Sequence, residues 1–566
     1  MTTKRAFNIF DALPTRARSM SRSTISRTLA CLLFTSAGLA RAQHAATHDN
    51  HANNEMPATP RLGEIDFPTS ASVPSHAAFV RGVLLLHNFH YPAAADAFRQ
   101  AQKLDSTDVM SFWGEAMTYT HPVWNEQDTA AADAVLRRLG PTRESRLSKA
   151  RTVSERRWLD AVETLYAPAG TKAQRDTAYS AAMASMHEAD PQNVEATTFY
   201  ALSLLGLNQG QRDVATYQKA YTILAPVFAS HPHHPGAAHY LIHATDDPDH
   251  AAMGLAAANA YSDIAPSAGH AIHMTSHIFL ALGKWDDVVS ANRRAQATAP
   301  PGILGPHVVH WLHYGLLQQG RYREADQWLD SMARQARTGP PNRRILSWDA
   351  AGLMAGANLA DTRRWSGVAA KVRIDSSVFD AIRNPEALTD LAASEFGFAL
   401  GALFRGETAA FTSALTGMTT RRELVASNPD MATARGMSEV MEKTLRGYAL
   451  SKNGSASAAL ALFRDAANQE AQLPMPFGPP STIKPPREAA GELLLTLGRP
   501  AEARTEFLLA LSRTPRRTAP MLGLARAEYA LGNRAESGRL YQELVTIWHD
   551  ADTDFPELAE ARSRTR

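Results

Sequence analysis

The sequence predicts an all-α chain, a superhelical α-solenoid of stacked helical hairpins, on three observations. Apolar residues recur with helical spacing, and the period-two alternation of a half-buried strand is nowhere sustained. Gly498 and Gly532 stand 34 residues apart in AAGELLLTLGRPAEARTEFLLALSRTP and LGLARAEYALGNRAESGRLYQELV, the period of a helix-turn-helix repeat. Small and large apolar residues fall at fixed offsets, so that the two helices of a unit approach closely and each hairpin buries its face by stacking on the next.

The units can be placed one by one. Gly491, Leu494, Gly498, Ala503, Phe507, Ala510 and Pro515 occupy repeat positions 8, 11, 15, 20, 24, 27 and 32, and on these residues the chain resembles the tetratricopeptide repeat family. Gly447, Leu450, Gly454, Ala459, Phe463 and Ala466 fit the same ruler, as do Gly82, Ala94, Phe98 and Ala101. Phe279, Gly283, Trp285, Ala295 and Pro300 form another unit, followed by Leu312, Leu316, Gly320, Tyr322, Ala325 and Leu329. Over residues 171–263 and 347–424 the spacing stays helical while the consensus fades. The expected organisation is a signal peptide over 1–42, a flexible leader over 43–70, and histidine-rich repeats over 71–345. Divergent helical repeats follow over 346–430 and C-terminal repeats over 431–566, with the Pro-rich run Pro474 to Pro486 as an inserted loop.

Composition bounds the function. A hydrophobic share of 45% and a charged share of 20% over 566 residues belong to a folded protein of more than one structural unit. Lys4, Arg5, Arg16, Arg18, Arg22 and Arg27 precede the apolar run Leu29 to Ala40, and Ala40, Arg41 and Ala42 supply a small-residue cleavage site. The mature chain is expected to begin at Gln43 and to be periplasmic or secreted, with Met1 and Met20 both open as translation starts. The apolar run of 12 residues is shorter than the roughly 20 a bilayer span needs, and no later stretch reads as a span. Cys31, the single cysteine, lies in the segment removed, so a metal site must use His, Asp or Glu. The net charge of +2 includes +6 from that segment (seven Lys/Arg against one Asp), which leaves 2 − 6 = −4. A balance so near neutrality carries no electrostatic footprint for nucleic acid or an anionic membrane.

Eleven of the 21 histidines lie between Pro232 and Tyr314. His239 and His243 are four apart, His270, His273 and His277 three then four apart, and His307, His310 and His313 three apart, so each set forms a stripe on one helix face. The family resemblance implies that positions 2, 5, 9 and 12 of a first helix line the concave ligand surface. It places His270, His273 and His277 at 2, 5 and 9, His307 and His310 at 2 and 5 with Tyr314 at 9, and His239 and His243 at 5 and 9. It also puts Glu115 at position 9 of the second repeat, with His121 at the following turn.

Neutral imidazole is the commonest metal ligand near physiological pH, and neighbouring helices that each bring one or two rings can complete a site. His239, His243, His270, His273 and His277 are the candidate ligands, with Glu115, His121, Asp246, His307 and His310 as further ligands or outer partners. Zinc, copper(II) and iron all suit such a donor set. Asp246 is the carboxylate best placed to orient an imidazole.

The HYLIH segment lacks the Glu that serves as base in H-E-x-x-H, and neither a G-x-S-x-G elbow nor a glycine-rich phosphate loop is present. The remaining histidines read as ordinary: His44, His48, His51, His76, His87, His90 and His187 as isolated residues, and His231, His233 and His234 as solvated turn residues. Trp113, Trp285 and Trp311 read as packing residues. The block from His234 to Asn292, with FWGEAMTYTHPVW upstream, is similar to segments of a group of largely uncharacterised exported bacterial tetratricopeptide proteins, a resemblance that implies no activity. The expectation is an exported scaffold with a metal or ligand site on its concave face, taking a protein segment or small ligand. The competing readings are a metal-dependent hydrolase or oxidoreductase and a metal-free protein–protein interaction module.

Overall fold

The computed structural model describes residues 60–208, 212–374, 385–475 and 477–565. The expected signal peptide, Cys31 and the first part of the leader lie outside them.

Helical hairpins follow one another along the chain. The first is α1 (Val73–His87) with α2 (Tyr91–Leu104), and α3 (Val109–Met117) pairs with α4 (Thr129–Leu139) across a small excursion. That excursion holds β1 (Thr120–His121) and β2 (Glu126–Gln127), an antiparallel pair of two-residue strands. Next come the short α5 (Arg143–Leu147), then α6 (Val153–Leu165) with α7 (Lys172–Ala189), and α8 (Val194–Leu205) with α9 (Val214–Ser230). The histidine-bearing hairpins are α10 (Pro235–Thr245) with α11 (Ala251–Ile264), α12 (Gly269–Ala281) with α13 (Trp285–Ala297), and α14 (Pro306–Gln318) with α15 (Tyr322–Thr338). Three long helices, α16 (Pro341–Thr362), α17 (Pro385–Arg405) and α18 (Thr408–Leu424), occupy the stretch where the consensus fades. The C-terminal units are α19 (Ala432–Lys452) with α20 (Ala456–Glu470), α21 (Pro486–Thr496) with α22 (Pro500–Arg513), α23 (Thr518–Ala530) with α24 (Arg534–Ile547), and a final α25 (Pro556–Arg564).

The repeat positions explain the packing. Phe507 at position 24 is gripped by Gly491 of its own unit and Gly523 of the next, where an added Cβ would lie 2.6 and 2.3 Å from the ring. Gly82 and Gly114 clasp Phe98 in the same way, at 2.5 and 2.3 Å. Position 15 ends the first helix in a left-handed turn, with φ +69° at Gly498 and +84° at Gly532, a conformation that favours glycine.

The last repeats return to the histidine-bearing ones. The indole N–H of Trp285 donates to the Arg516 carbonyl at 2.9 Å, and that of Trp548 to the Gln318 carbonyl at 3.0 Å. Arg517, fully buried, donates to Glu488 at 2.9 Å, to Tyr314 at 2.8 Å and to Asp361. Burial alone would raise the Glu488 carboxyl, but the charges of Arg517 and Lys484 overcome it and hold the pKa at about 2.

Two expectations are corrected. Residues 60–70 are not a loose leader: Leu62 and Phe67 are buried, the Glu64 amide donates to the His233 carbonyl at 3.0 Å, and Asn88 Nδ2 donates to the Leu62 carbonyl at 3.0 Å. And one later stretch, Ala387–Arg405 in α17, is long and apolar enough by composition to cross a bilayer. Most of that stretch is buried, because its apolar residues pack against α16, α18 and α19.

Candidate metal centre

The first helices of three consecutive hairpins, α10, α12 and α14, carry the centre. His239, His243, His270, His273 and His277 are all buried, while His310 is partly exposed and His307 exposed. The rings therefore sit inside the packing rather than along an open groove wall. Two sets of three form: His239, His243 and His270 offer ring nitrogens within 4.8 Å of one another, as do His273, His277 and His307.

Outer partners fix which nitrogen of His239, His273 and His277 carries the proton. His239 Nδ1 lies 2.7 Å from the His87 carbonyl, which only accepts, so Nδ1 donates and Nε2 presents its lone pair. His277 Nδ1 lies 2.5 Å from Asp246 Oδ2, with the same consequence. Asn292 donates from Nδ2 to the Val288 carbonyl at 2.8 Å, which leaves Oδ1 to accept from His273 Nδ1 at 2.7 Å. His273 Nε2 and His277 Nε2, both acceptors in the neutral rings, then face each other at 3.3 Å. Facing lone pairs at that distance repel unless a proton or a cation lies between them. His239 Nε2 and His270 Nε2 are also 3.3 Å apart. The edge of a tetrahedron built on metal–nitrogen bonds of roughly 2.0–2.1 Å is about 3.3–3.4 Å.

Local structure holds these partners. Arg212 donates to the Asp246 carbonyl at 2.9 Å and the Ala244 carbonyl at 3.2 Å, neutralising the C-terminal end of α10, and pairs with Asp247 at 2.7 Å. Burial lowers the His239 pKa to about 3 against the opposing bond to the His87 carbonyl, and burial pushes His243 down as well, so both are neutral at physiological pH. His243 Nε2 is buried with no hydrogen-bond partner among the described residues.

Aromatic rings close the site. Trp311, expected as packing, lies tilted against His277 at 4.3 Å and edge-on to His273 at 5.0 Å. Phe89 lies 4.3 Å from His239 and 5.7 Å from His270. It occupies repeat position 15 of the first unit, where other units place glycine, and takes φ +55°. A bulky side chain in the left-handed region is a strained conformation, and such strain concentrates at functional sites.

Other expected residues go elsewhere. Glu115 is bound by Arg99 at 2.8 Å, Gln102 at 2.7 Å and Arg138, so two guanidinium groups hold its carboxylate away from any role as base or ligand. His121 stacks on Tyr91 at 4.0 Å and pairs with Glu126 at 3.0 Å rather than joining either set. His310 lines a cavity of about 180 Å³ with His307, Trp311, Asp349 and Asp390.

His87 and His234, expected as ordinary residues, are instead buried on either side of Glu195, at 2.9 and 3.1 Å. His234 Nδ1 accepts from the Ala237 amide and His87 Nδ1 faces the Tyr240 hydroxyl at 2.9 Å, so every nitrogen of this trio is satisfied by protein alone. Burial works against the Glu195 charge, yet the two imidazoles on its oxygens hold the pKa at about 2. Gly236 makes room for this trio, since a Cβ there would lie 2.3 Å from His87 Nδ1.

Among known proteins, neither a family model nor a curated protein matches the chain. The fold is a solenoid of tetratricopeptide-like hairpins. Solved structures similar to it are helical-repeat proteins: a human IFIT1 dimer with m7Gppp-AAAA, at 14% identity and a TM-score of 0.34, covers 85% of this chain and 91% of its own. Yeast Tom70 is similar at 12% identity and a TM-score of 0.27 over 87% of this chain and 94% of its own. The Cut9–Hcn1 assembly of the APC/C gives 13% identity and 0.27 over 86% and 96%.

Proposed function

We propose that this chain is an exported helical-repeat scaffold whose histidine centre binds a divalent transition metal through His239, His243, His270, His273, His277 and His307. The observation that carries the reading is the pair of acceptor nitrogens on His273 and His277, 3.3 Å apart, with both Nδ1 atoms committed to Asn292 and Asp246. A carboxylate or amide on the far nitrogen of a ligand ring fixes its orientation and raises its basicity. Neutral nitrogen donors suit zinc, copper(II) and iron, and among divalent ions copper(II) binds such sites most tightly. Export rests on the basic and apolar N-terminal segment. The scaffold's partner surface is the cavity of about 530 Å³ lined by Tyr322, Arg363, Phe404, Tyr448, Arg526 and Trp548, whose mixed aromatic and charged wall suits a protein segment or small ligand.

The competing occupant is a proton, which would make His277 an imidazolium against Asp246. Elemental analysis of the purified mature chain before and after chelation separates the two. Stoichiometric metal that is lost from a His243→Ala, His277→Ala variant supports the metal reading, and a metal-free protein whose melting is unchanged in excess zinc or copper favours the proton.

A further inference from the structure

We propose that the centre is built for two metal ions, one in each histidine set, spaced along α12. The proposal rests on the metal-binding reading above. Helix α12 sits between α10 and α14 in the stack, and it divides its rings between them: His270 joins His239 and His243 of α10, while His273 and His277 join His307 of α14.

The spacings within and between the sets differ. Within them the facing nitrogens approach to 3.3 Å in both cases, the length of a tetrahedral ligand edge. Between them, the ring centroids of His243 and His277 stand 6.1 Å apart and those of His270 and His273 6.4 Å apart. Within the sets the centroids stand closer, at 4.9 Å for His239 and His243, 5.1 Å for His239 and His270, 5.1 Å for His273 and His277, and 4.7 Å for His273 and His307. Each set also has its own orienting contact, the His87 carbonyl for the first and Asp246 with Asn292 for the second. The first set has in addition an independent sign of a ligand: His243 Nε2, buried and without a hydrogen-bond partner among the described residues. A buried polar group left unsatisfied destabilises the fold, and coordination removes that penalty.

Three ligands per ion leave at least one position of each tetrahedron for water or a bound molecule. The second set opens towards solvent, since His307 is exposed and lines the cavity that also holds His310, Asp349 and Asp390.

The test is copper(II) stoichiometry on the full mature chain with His44, His48 and His51 replaced by Ala, so that the leader contributes no ligand. After loading and gel filtration through a weak chelator, elemental analysis is expected to find two ions per chain. His243→Ala and His307→Ala are each expected to retain one, with helical content by circular dichroism unchanged. Because the His307 ring is exposed, that variant does not depend on repacking. One ion in the parent overturns the second site while leaving metal binding intact; none overturns the metal reading itself. Two ions retained in His307→Ala, or none, overturns the division into sets.

Discussion

Phe89 offers a quantitative check on how the site is built. Its φ of +55° costs a non-glycine residue about 1–2 kcal/mol, and its ring, 4% exposed, covers His239, His243 and His270. Truncation to Ala removes the ring at about 3–5 kcal/mol and keeps most of the backbone strain. Truncation to Gly removes the same ring and relieves the strain, so Phe89→Gly is expected to be more stable than Phe89→Ala by about 1 kcal/mol, although glycine loses to alanine at ordinary helix or strand positions. Urea titration of both variants against the parent measures the difference. Both variants should also release bound metal to a chelator faster than the parent, because the cover over the first histidine set is gone. A Phe89→Gly variant less stable than Phe89→Ala would refute the assignment of strain at this turn.

Other perturbations follow from single contacts. Asp246→Asn removes the carboxylate behind His277 and is expected to weaken metal binding about 10–100-fold, or about 1.4–2.7 kcal/mol, by competition titration; unchanged affinity would contradict a role for that contact. Gly236→Ala drives a Cβ to 2.3 Å from His87 and should cost about 1–3 kcal/mol in a urea melt. Burial lowers the pKa of His90 to about 4 and of His313 to about 3, so below pH 6.5 the unfolded chain takes up protons that the folded chain refuses. Stability is full above pH 6.5 and falls as pH drops, by about 3 kcal/mol at pH 4 from His90 alone, and His90→Gln should flatten that dependence in pH-resolved melts.

The repeat architecture was legible because its determinants are local: the position-8 glycines, the position-24 phenylalanines and the glycine turns recur at fixed offsets. The three histidine stripes were legible for the same reason, since helix periodicity alone puts His239 beside His243 and His273 beside His277. The contacts that distinguish the stripes were not. Asn292 comes from the second helix of a hairpin, and the His87 carbonyl is a buried helix end whose partner lies 152 residues away. Glu115 looked well placed by register, but Arg99 and Arg138 from adjacent helices claim it, and pairing across helices leaves no mark in spacing. His87 and His234 looked isolated because Glu195 reaches them only through the stacking of α8 on α10. One missed signal was present: counting from Gly82 puts Phe89 on a position where the other units have glycine, and a bulky residue there marks strain kept for a purpose.

X-ray absorption on the metal-loaded mature chain tests the central claim most directly. The account predicts a first shell of nitrogen at about 2.0–2.1 Å with the outer scattering of several imidazoles, lost together with the metal in a His243→Ala, His277→Ala variant that removes a ligand from each set. A shell of oxygen alone, or an imidazole pattern that survives those two substitutions unchanged, would contradict it.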